Sequence, residues 1–170
     1  MMEIFEEYLL NAKKKYLSAE HMVSVTYGIT KDPKILISVL NDCFNAVSNA
    51  MDAILALETS YGIISGAAAS PDGDFDEKIS LFVSSVAPSL CIEKKHIDLI
   101  KTLHDYVSGH RNSPIEFSKD GAFIICDDEY KMKTIDLEDT IKLVSESKSF
   151  INLTDTLVKG RDVIHRRSKK

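Results

Sequence analysis

The longest run of regularly spaced apolar residues lies between Pro33 and Tyr61. Eight of its positions recur at alternating steps of four and three residues, which places them on one stripe of an α-helix: Leu36, Leu40, Cys43, Val47, Ala50, Ile54, Leu57 and Tyr61. This stripe contains no carboxylate. Because a helix this apolar must bury more than one side, the pattern predicts the central helix of a bundle.

Helical spacing recurs in four further segments, about Met2 to Tyr27, Asp74 to Pro88, Ile92 to Asn112 and Asp136 to Gly160. The short connection from Gly28 to Pro33 indicates that the first two helices form an antiparallel hairpin. The stretch from Gly62 to Gly73 is rich in glycine and small residues and predicts a flexible loop.

The period changes between the fourth and fifth helices. An Asp-Gly turn signal at Asp120 precedes a short apolar run, Ala122 to Cys126, and an alternating segment, Tyr130 to Ile135. These features predict one small β-hairpin at about residues 117–135, whose apolar face packs on the helices because a lone hairpin is marginally stable. The predicted fold is mainly α, an antiparallel bundle of four or five helices with this hairpin between helices 4 and 5.

The distribution of charge divides the chain. The segment from Lys159 to Lys170 holds six Lys or Arg and one Asp, whereas the other residues hold 15 basic and 25 acidic side chains. We therefore expect one helical domain over residues 1–160, including the hairpin, and a basic C-terminal tail over residues 161–170. An acidic body is not typical of a general nucleic-acid binder.

Cysteine usage and the N-terminus indicate the compartment. The three cysteines, Cys43, Cys91 and Cys126, are far apart and form no CxxC pair, which favours reduced thiols. The start, MMEIFEEYLL, carries Glu where a signal peptide has Lys or Arg. No apolar run reaches the ~18 residues of a membrane span, so we expect a cytoplasmic protein without a membrane partner.

A metal-binding helical bundle is the least favoured class. Glu93 and His96 form an ExxH, but the nearest match is Asp162 to His165 in the basic tail. Di-iron bundles need two such motifs and two further carboxylates, and the central stripe has none. We expect neither a metal nor another cofactor.

The most informative stretch runs from His110 to Phe117, with the sequence HRNSPIEF. Together with EEYLLNAKKKYLSAEHM in helix 1 and LNDCFNAVSNAMDAILALE in helix 2, it resembles the HEPN superfamily over about residues 1–117. The resemblance implies a helical bundle that forms a homodimer. In its ribonuclease members, an Arg-Asn pair and a His five residues after the Arg act on RNA at the dimer cleft.

The chain departs from this motif at the histidine. Arg111 and Asn112 match the Arg-Asn pair, but Glu116 takes the place of the His and Pro114 interrupts the segment. Histidine exchanges protons near neutral pH, whereas an exposed Glu, with a reference pKa of about 4.3, is a poor acid there. We therefore expect no catalytic residues, and a ligand-binding site formed by Arg111, Asn112, His110 and Glu116.

Two other roles for Arg111 stay open. A ribonuclease or toxin-like enzyme could use Arg111 with a nearby histidine, His110 or His104. Arg111 could instead be a helix C-terminal cation that stabilises the last carbonyl groups. The expected partners are a second copy of the chain and a protein or nucleotide, and RNA is not favoured.

Overall fold

The computed structural model describes residues 1–66, 70 and 72–168, except for the side chains of residues 162, 165 and 166. The fold is mainly helical, with 73% of residues in helices, and this part of the prediction is confirmed. Of the loop predicted between Gly62 and Gly73, residues 67–69 and 71 lie outside the described residues.

Five helices and three strands follow one another in the part of the chain that the structure describes. Helix α1 comprises Ile4–His21, a π-helical turn Met22–Thr26 and Tyr27–Thr30; α2 is Lys34–Ser60; α3 comprises Phe75–Leu81, a π-helical turn Phe82–Val86 and Ala87–Ser89; α4 is Lys94–Asn112; and α5 is Leu137–Ser168. The strands are β1, Ile115–Lys119, β2, Ala122–Cys126, and β3, Met132–Ile135.

Helix α2 is the centre of the core, as its stripe predicts. Seven of the eight stripe residues are completely inaccessible to solvent, and the eighth, Tyr61, is partly buried. Helices α1, α4 and α5 all pack on α2. At its start, the Asp32 carboxylate accepts a hydrogen bond from the Lys34 N–H, which satisfies one of the free donors of the first turn.

Side-chain contacts give the directions of the helices. Phe5, near the start of α1, clusters with Leu57 near the end of α2, so these helices run antiparallel. The end of α1 is joined to the start of α2 through Lys31, which adopts a left-handed conformation (φ 54°). Val158 of α5 joins the same cluster, whereas Tyr16, later in α1, has Lys148 over its ring. Helix α5 therefore runs antiparallel to α1 and in the same direction as α2.

The strands form a three-stranded antiparallel sheet of order β1-β2-β3. The prediction of a single hairpin over residues 117–135 was wrong in missing β1, which begins at Ile115. Asp120 (φ 52°) and Gly121 (φ 77°) connect β1 to β2, and their positive φ values are those of a tight hairpin turn. Phe123 and Ile125 of β2 and Ile135 of β3 belong to the main core, so one face of the sheet packs on the helices.

Helix α5 continues past Gly160, where the sequence predicted its end, and runs to Ser168. Arg161, one residue beyond that glycine, forms an ion pair with Glu58 of α2, with Nη2 3.3 Å from Oε2. Glu58 is completely buried. Glu58 lies next to the apolar stripe of α2 and not in it, so the stripe itself did not reveal this buried carboxylate. The ion pair holds α5 on the bundle beyond Gly160.

Among the described residues, no helix is both long and apolar enough to cross a lipid bilayer.

Candidate functional site

The predicted site residues lie where α4 ends and the sheet begins. His110, Arg111 and Asn112 are the last three residues of α4. Ser113 follows with an extended backbone (ψ 124°), and its hydroxyl lies 2.8 Å from the Ile115 carbonyl and 2.6 Å from that of Cys126. These contacts fix the direction in which the chain leaves the helix, so the first residues of β1 turn back beside the last turn of α4.

Glu116 and His110 meet at this corner. Glu116 Oε1 lies 2.6 Å from His110 Nδ1, and the His110 ring also makes an edge contact with Phe123, at 6.3 Å between ring centroids. As expected from Pro114, residue 116 is outside the helix. The strand nevertheless aims Glu116 at the helix end, so the structure brings these two predicted site residues together.

Arg111 and Asn112 stand apart from that pair. Both are exposed, and neither side chain has a hydrogen bond or ion pair to another residue within the described part of the chain. Arg111 therefore contacts neither Glu116 nor the last carbonyl groups of α4. Its guanidinium and the Asn112 amide therefore have free donors among the described residues, and the expectation that they bind a ligand stays a prediction.

A cleft of about 360 Å³ opens beside His110. It is lined by residues of three helices: Met22, Ile37, Ser38, Asn41, Asp42 and His110. Met22 begins the π-helical turn of α1, where the Ser24 hydroxyl donates a 2.6 Å hydrogen bond to the Glu20 carbonyl. Turns of this type occur often at functional sites because they displace side chains from the regular helical spacing.

The cleft has a polar lining, in which the charge of the Asp42 carboxylate is partly neutralised by Lys15. The Asp42 carboxylate accepts a 2.6 Å hydrogen bond from the Ser18 hydroxyl and lies 3.6 Å from Lys15 Nζ. Ser38 and Asn41 are exposed and, among the residues described, have no side-chain hydrogen bond. Met22 and Ile37 add apolar side chains to the lining, so the cleft offers hydrogen-bonding groups beside an apolar surface.

The other histidines of α4 lie in different surroundings. His104 stacks on Phe75, with ring centroids 4.1 Å apart, and its Nε2 contacts the Ser108 hydroxyl at 3.2 Å. His96 is buried against Phe150 of α5, and this burial lowers its pKa. The proposed use of His104 with Arg111 is not supported by this geometry, because His104 packs between α2, α3 and α4 and does not line the cleft.

No group of three or more His, Cys, Asp or Glu side chains in the described residues is arranged to hold a metal ion. Glu93 of the ExxH pairs with Lys95 at 3.2 Å, and His96 turns into the core. The expectation that the chain binds no metal stays a prediction.

The corner between α4 and β1 has two chemical capabilities. When the Nδ1–H of His110 donates to Glu116, Nε2 of the neutral ring is a free hydrogen-bond acceptor. In a protonated ring, Nε2 is a donor. Arg111, close by in sequence, presents a planar set of donors that can bind a carboxylate or phosphate in bidentate fashion. The site can therefore bind an anionic group at Arg111 and form a hydrogen bond through Nε2 of His110.

Sequence reasoning missed the part of the cleft supplied by α1 and α2. Asn41 and Asp42 are polar residues on a long helix, and such residues usually form a solvated face. The one available signal was the Asn-Asp pair at the edge of an otherwise apolar helix, and nothing in the sequence placed it opposite His110.

No family model, no curated protein and no solved structure matches this chain. The assignment of a function therefore depends on the residues described above. The resemblance to the HEPN superfamily likewise stays a proposal, carried by the Arg111-Asn112 pair and the pattern of the first two helices.

Proposed function

We propose that the chain is a non-catalytic binding or interaction protein of the HEPN type, a helical bundle that acts as a homodimer in the cytoplasm. The observation that carries the proposal is the exposed Arg111-Asn112 pair, which has no partner among the described residues. The three free cysteines are compatible with a reducing compartment.

The absence of catalysis is argued from Glu116. It occupies the position of the histidine in the resembling nucleases, and its carboxylate is 2.6 Å from His110 Nδ1. A carboxylate engaged in this way is a hydrogen-bond acceptor that orients the ring. It does not replace a group that donates a proton near pH 7.

The expected ligand is an anionic group on a protein or a nucleotide. Arg111 lies in the last turn of α4, where a cation interacts favourably with the helix dipole, but among the described residues it makes no hydrogen bond to the last carbonyl groups, so its donors stay free for a ligand. A free guanidinium beside a free amide favours a carboxylate or phosphate, because both can accept two parallel hydrogen bonds from arginine.

A second candidate is a ribonuclease that uses Arg111 and His110. The contact between His110 and Glu116 favours it, since a carboxylate on Nδ1 fixes the tautomer and leaves Nε2 to exchange a proton with a ligand. RNA is the less favoured ligand because the body of the protein is acidic.

The proposal is tested by titrating ¹⁵N-labelled protein with inorganic phosphate and, separately, with adenosine monophosphate. We expect amide shifts confined to the end of α4 and the start of β1, lost in Arg111→Ala and weakened in Arg111→Lys. Lys101→Ala, which removes an exposed cation from the same helix, is the matched control and should bind as the wild type does. Shifts that persist in Arg111→Ala, or that appear elsewhere, would place the binding site outside this corner.

A further inference from the structure

The outer face of the sheet is apolar, and its side chains on the two edge strands are exposed. The strand register places Ile115, Cys126 and Met132 in one row across the sheet, and Phe117 and Ile124 in the next. Ile124 and Cys126 are buried, at 8% and 6% exposure, but they lie outside the main hydrophobic cluster to which their β2 neighbours Phe123 and Ile125 belong, so this face points away from the helices. Ile115 is 47%, Phe117 38% and Met132 67% exposed.

The end of α5 carries a second set of unused apolar side chains. Val158 is the last α5 residue in a core cluster, and Arg161 makes the last ion pair of the helix with the bundle among the described residues. Beyond it, Val163 is 48% and Ile164 67% exposed. Lys159 to Lys170 carries six basic residues and one acidic residue, a formal charge of +5.

The two surfaces are complementary in charge. The turns that border the outer face of the sheet hold four carboxylates, those of Asp120, Asp127, Asp128 and Glu129, against the two ammonium groups of Lys119 and Lys131. One of these, Lys131, is 3.0 Å from Glu129. The rim is thus acidic by two charges, and the helix end is strongly basic. Opposite potentials steer association and set its register.

A single molecule cannot join these surfaces. Only Asp136 separates β3 from α5, so the helix starts at the sheet and runs away from it. Val163 lies 26 residues into α5, a distance of about 39 Å at 1.5 Å per residue. The α5 end that covers the sheet must therefore come from a second copy of the chain.

We infer that in the homodimer the α5 end of each protomer lies on the outer sheet face of the other, so that two identical contacts form. This rests on the homodimer in the proposed function. Three strands of up to five residues span about 14 by 17 Å, which a helix about 10 Å wide covers well. One such contact is small beside the ~800 Å² per partner of a stable interface. The reciprocal arrangement doubles it, because each protomer contributes both a sheet face and a helix end.

The test is sedimentation equilibrium of the full chain and two double variants. Phe117→Ser with Met132→Ser alters only the sheet face, and Val163→Ser with Ile164→Ser alters only the helix end. Leu17→Ser and Ile141→Ser remove apolar side chains that are equally exposed elsewhere and serve as controls. Circular dichroism establishes that each variant is folded. We expect a dimer of 2 × 19.0 = 38.0 kDa for the wild type and the controls, and a monomer for each double variant.

Mixing the two double variants decides whether the surfaces bind one another. The mixture contains one intact sheet face and one intact helix end, so it should form a 1:1 heterodimer, weaker than the wild-type dimer by ~100-fold or more because one of two linked contacts is lost. Monomers in the mixture at a protein concentration well above 100 times the dissociation constant of the wild-type dimer, roughly the strength that one contact should retain, would overturn the inference. Double variants that stay dimeric would also overturn it, while leaving the homodimer in place. A monomeric wild type would reject the homodimer itself, and the Arg111 titration would still stand as a separate test of binding.

Discussion

Removing Arg161 should destabilise the protein in a pH-dependent way. Glu58 is completely buried, and its Oε2 lies 3.3 Å from Arg161 Nη2. Burial raises the pKa of the Glu58 carboxyl, and the Arg161 charge opposes that rise. Arg161→Ala leaves the carboxylate buried without its cation, so the folded state becomes less stable wherever Glu58 is ionised.

The size of the effect follows from the exposure of the pair. Removing one partner of a fully buried ion pair costs about 3–5 kcal/mol. One third of the Arg161 side chain is accessible to solvent, which screens the interaction, so we expect a loss of about 2 kcal/mol near pH 7. For a chain of this length that lowers the melting temperature by about 4–8 °C.

The dependence on pH follows from the sign of the shift. A carboxyl whose pKa is higher in the folded state binds its proton more readily there than in the unfolded chain. The free energy of unfolding therefore falls as pH rises from the pKa of the unfolded chain to the higher pKa of the folded state. The cost of Arg161→Ala should therefore be largest at pH 7 and shrink toward the reference pKa of about 4.3.

Thermal unfolding followed by circular dichroism at several pH values measures this effect. Arg167→Ala, an exposed cation six residues further along α5, is the matched control. Glu58→Gln should rescue Arg161→Ala, because it removes the buried charge. An equal loss at every pH, or a loss no greater than that of Arg167→Ala, would refute the reasoning.

Three further predictions concern the core, the thiols and metal binding. Ile54→Asp should yield no folded protein, since residue 54 is fully buried and an unpaired buried charge costs several kcal/mol. Circular dichroism measures this effect, with Ile54→Val as the mild control. An unchanged melting temperature of Ile54→Asp would show that α2 is not central. In the folded protein a thiol reagent should modify Cys91 quickly and Cys43 and Cys126 slowly, because only Cys91 is exposed and burial raises the pKa of Cys43 to about 12; two fast thiols before denaturation would contradict this. Metal analysis of protein purified without chelator should find no stoichiometric transition metal, and one zinc or two irons per chain would overturn that expectation.

The sequence sufficed for the parts of the fold that depend on local periodicity. The stripe from Leu36 to Leu57 alternates threes and fours over six turns, and this regularity has no competing interpretation. In strand β1, Ile115 and Phe117 alternate with Glu116 and Ser118, but its five residues are mostly exposed in the structure, so this short alternation does not mark a core face and the strand was missed. Its pairing with β2 is a tertiary property that the turn at Asp120 and Gly121 makes possible.

The predicted end of α5 at Gly160 was wrong for a different reason. A glycine inside a helix costs about 1 kcal/mol relative to alanine, which predicts an end at Gly160 only if nothing beyond it is held in place. Arg161 is held by Glu58, a contact between residues 103 positions apart. Sequence spacing alone cannot reveal a partner at that distance.

His110, Arg111, Asn112 and Glu116 were selected from one stretch of sequence at the junction of α4 and β1. The structure brings His110 and Glu116 into contact, whereas Arg111 and Asn112 stand apart from that pair, and binding of a ligand at these residues stays a prediction. The contact between His110 and Glu116 depends on the backbone turn at Ser113 and Pro114. The cleft wall at Asn41 depends on helix packing, which the sequence pattern does not specify.

The most direct test of the non-catalytic assignment is incubation of the purified protein with single-stranded and structured RNA. Arg111→Ala and His110→Ala serve as controls in the same preparation, and Glu116→His tests the residue at which the chain departs from the resembling nucleases. The account predicts no cleavage by the wild type or by any variant, because Glu116 is engaged with His110 and lies outside the helix that carries Arg111. Cleavage by the wild type that disappears in both Arg111→Ala and His110→Ala would contradict the account and establish the ribonuclease alternative.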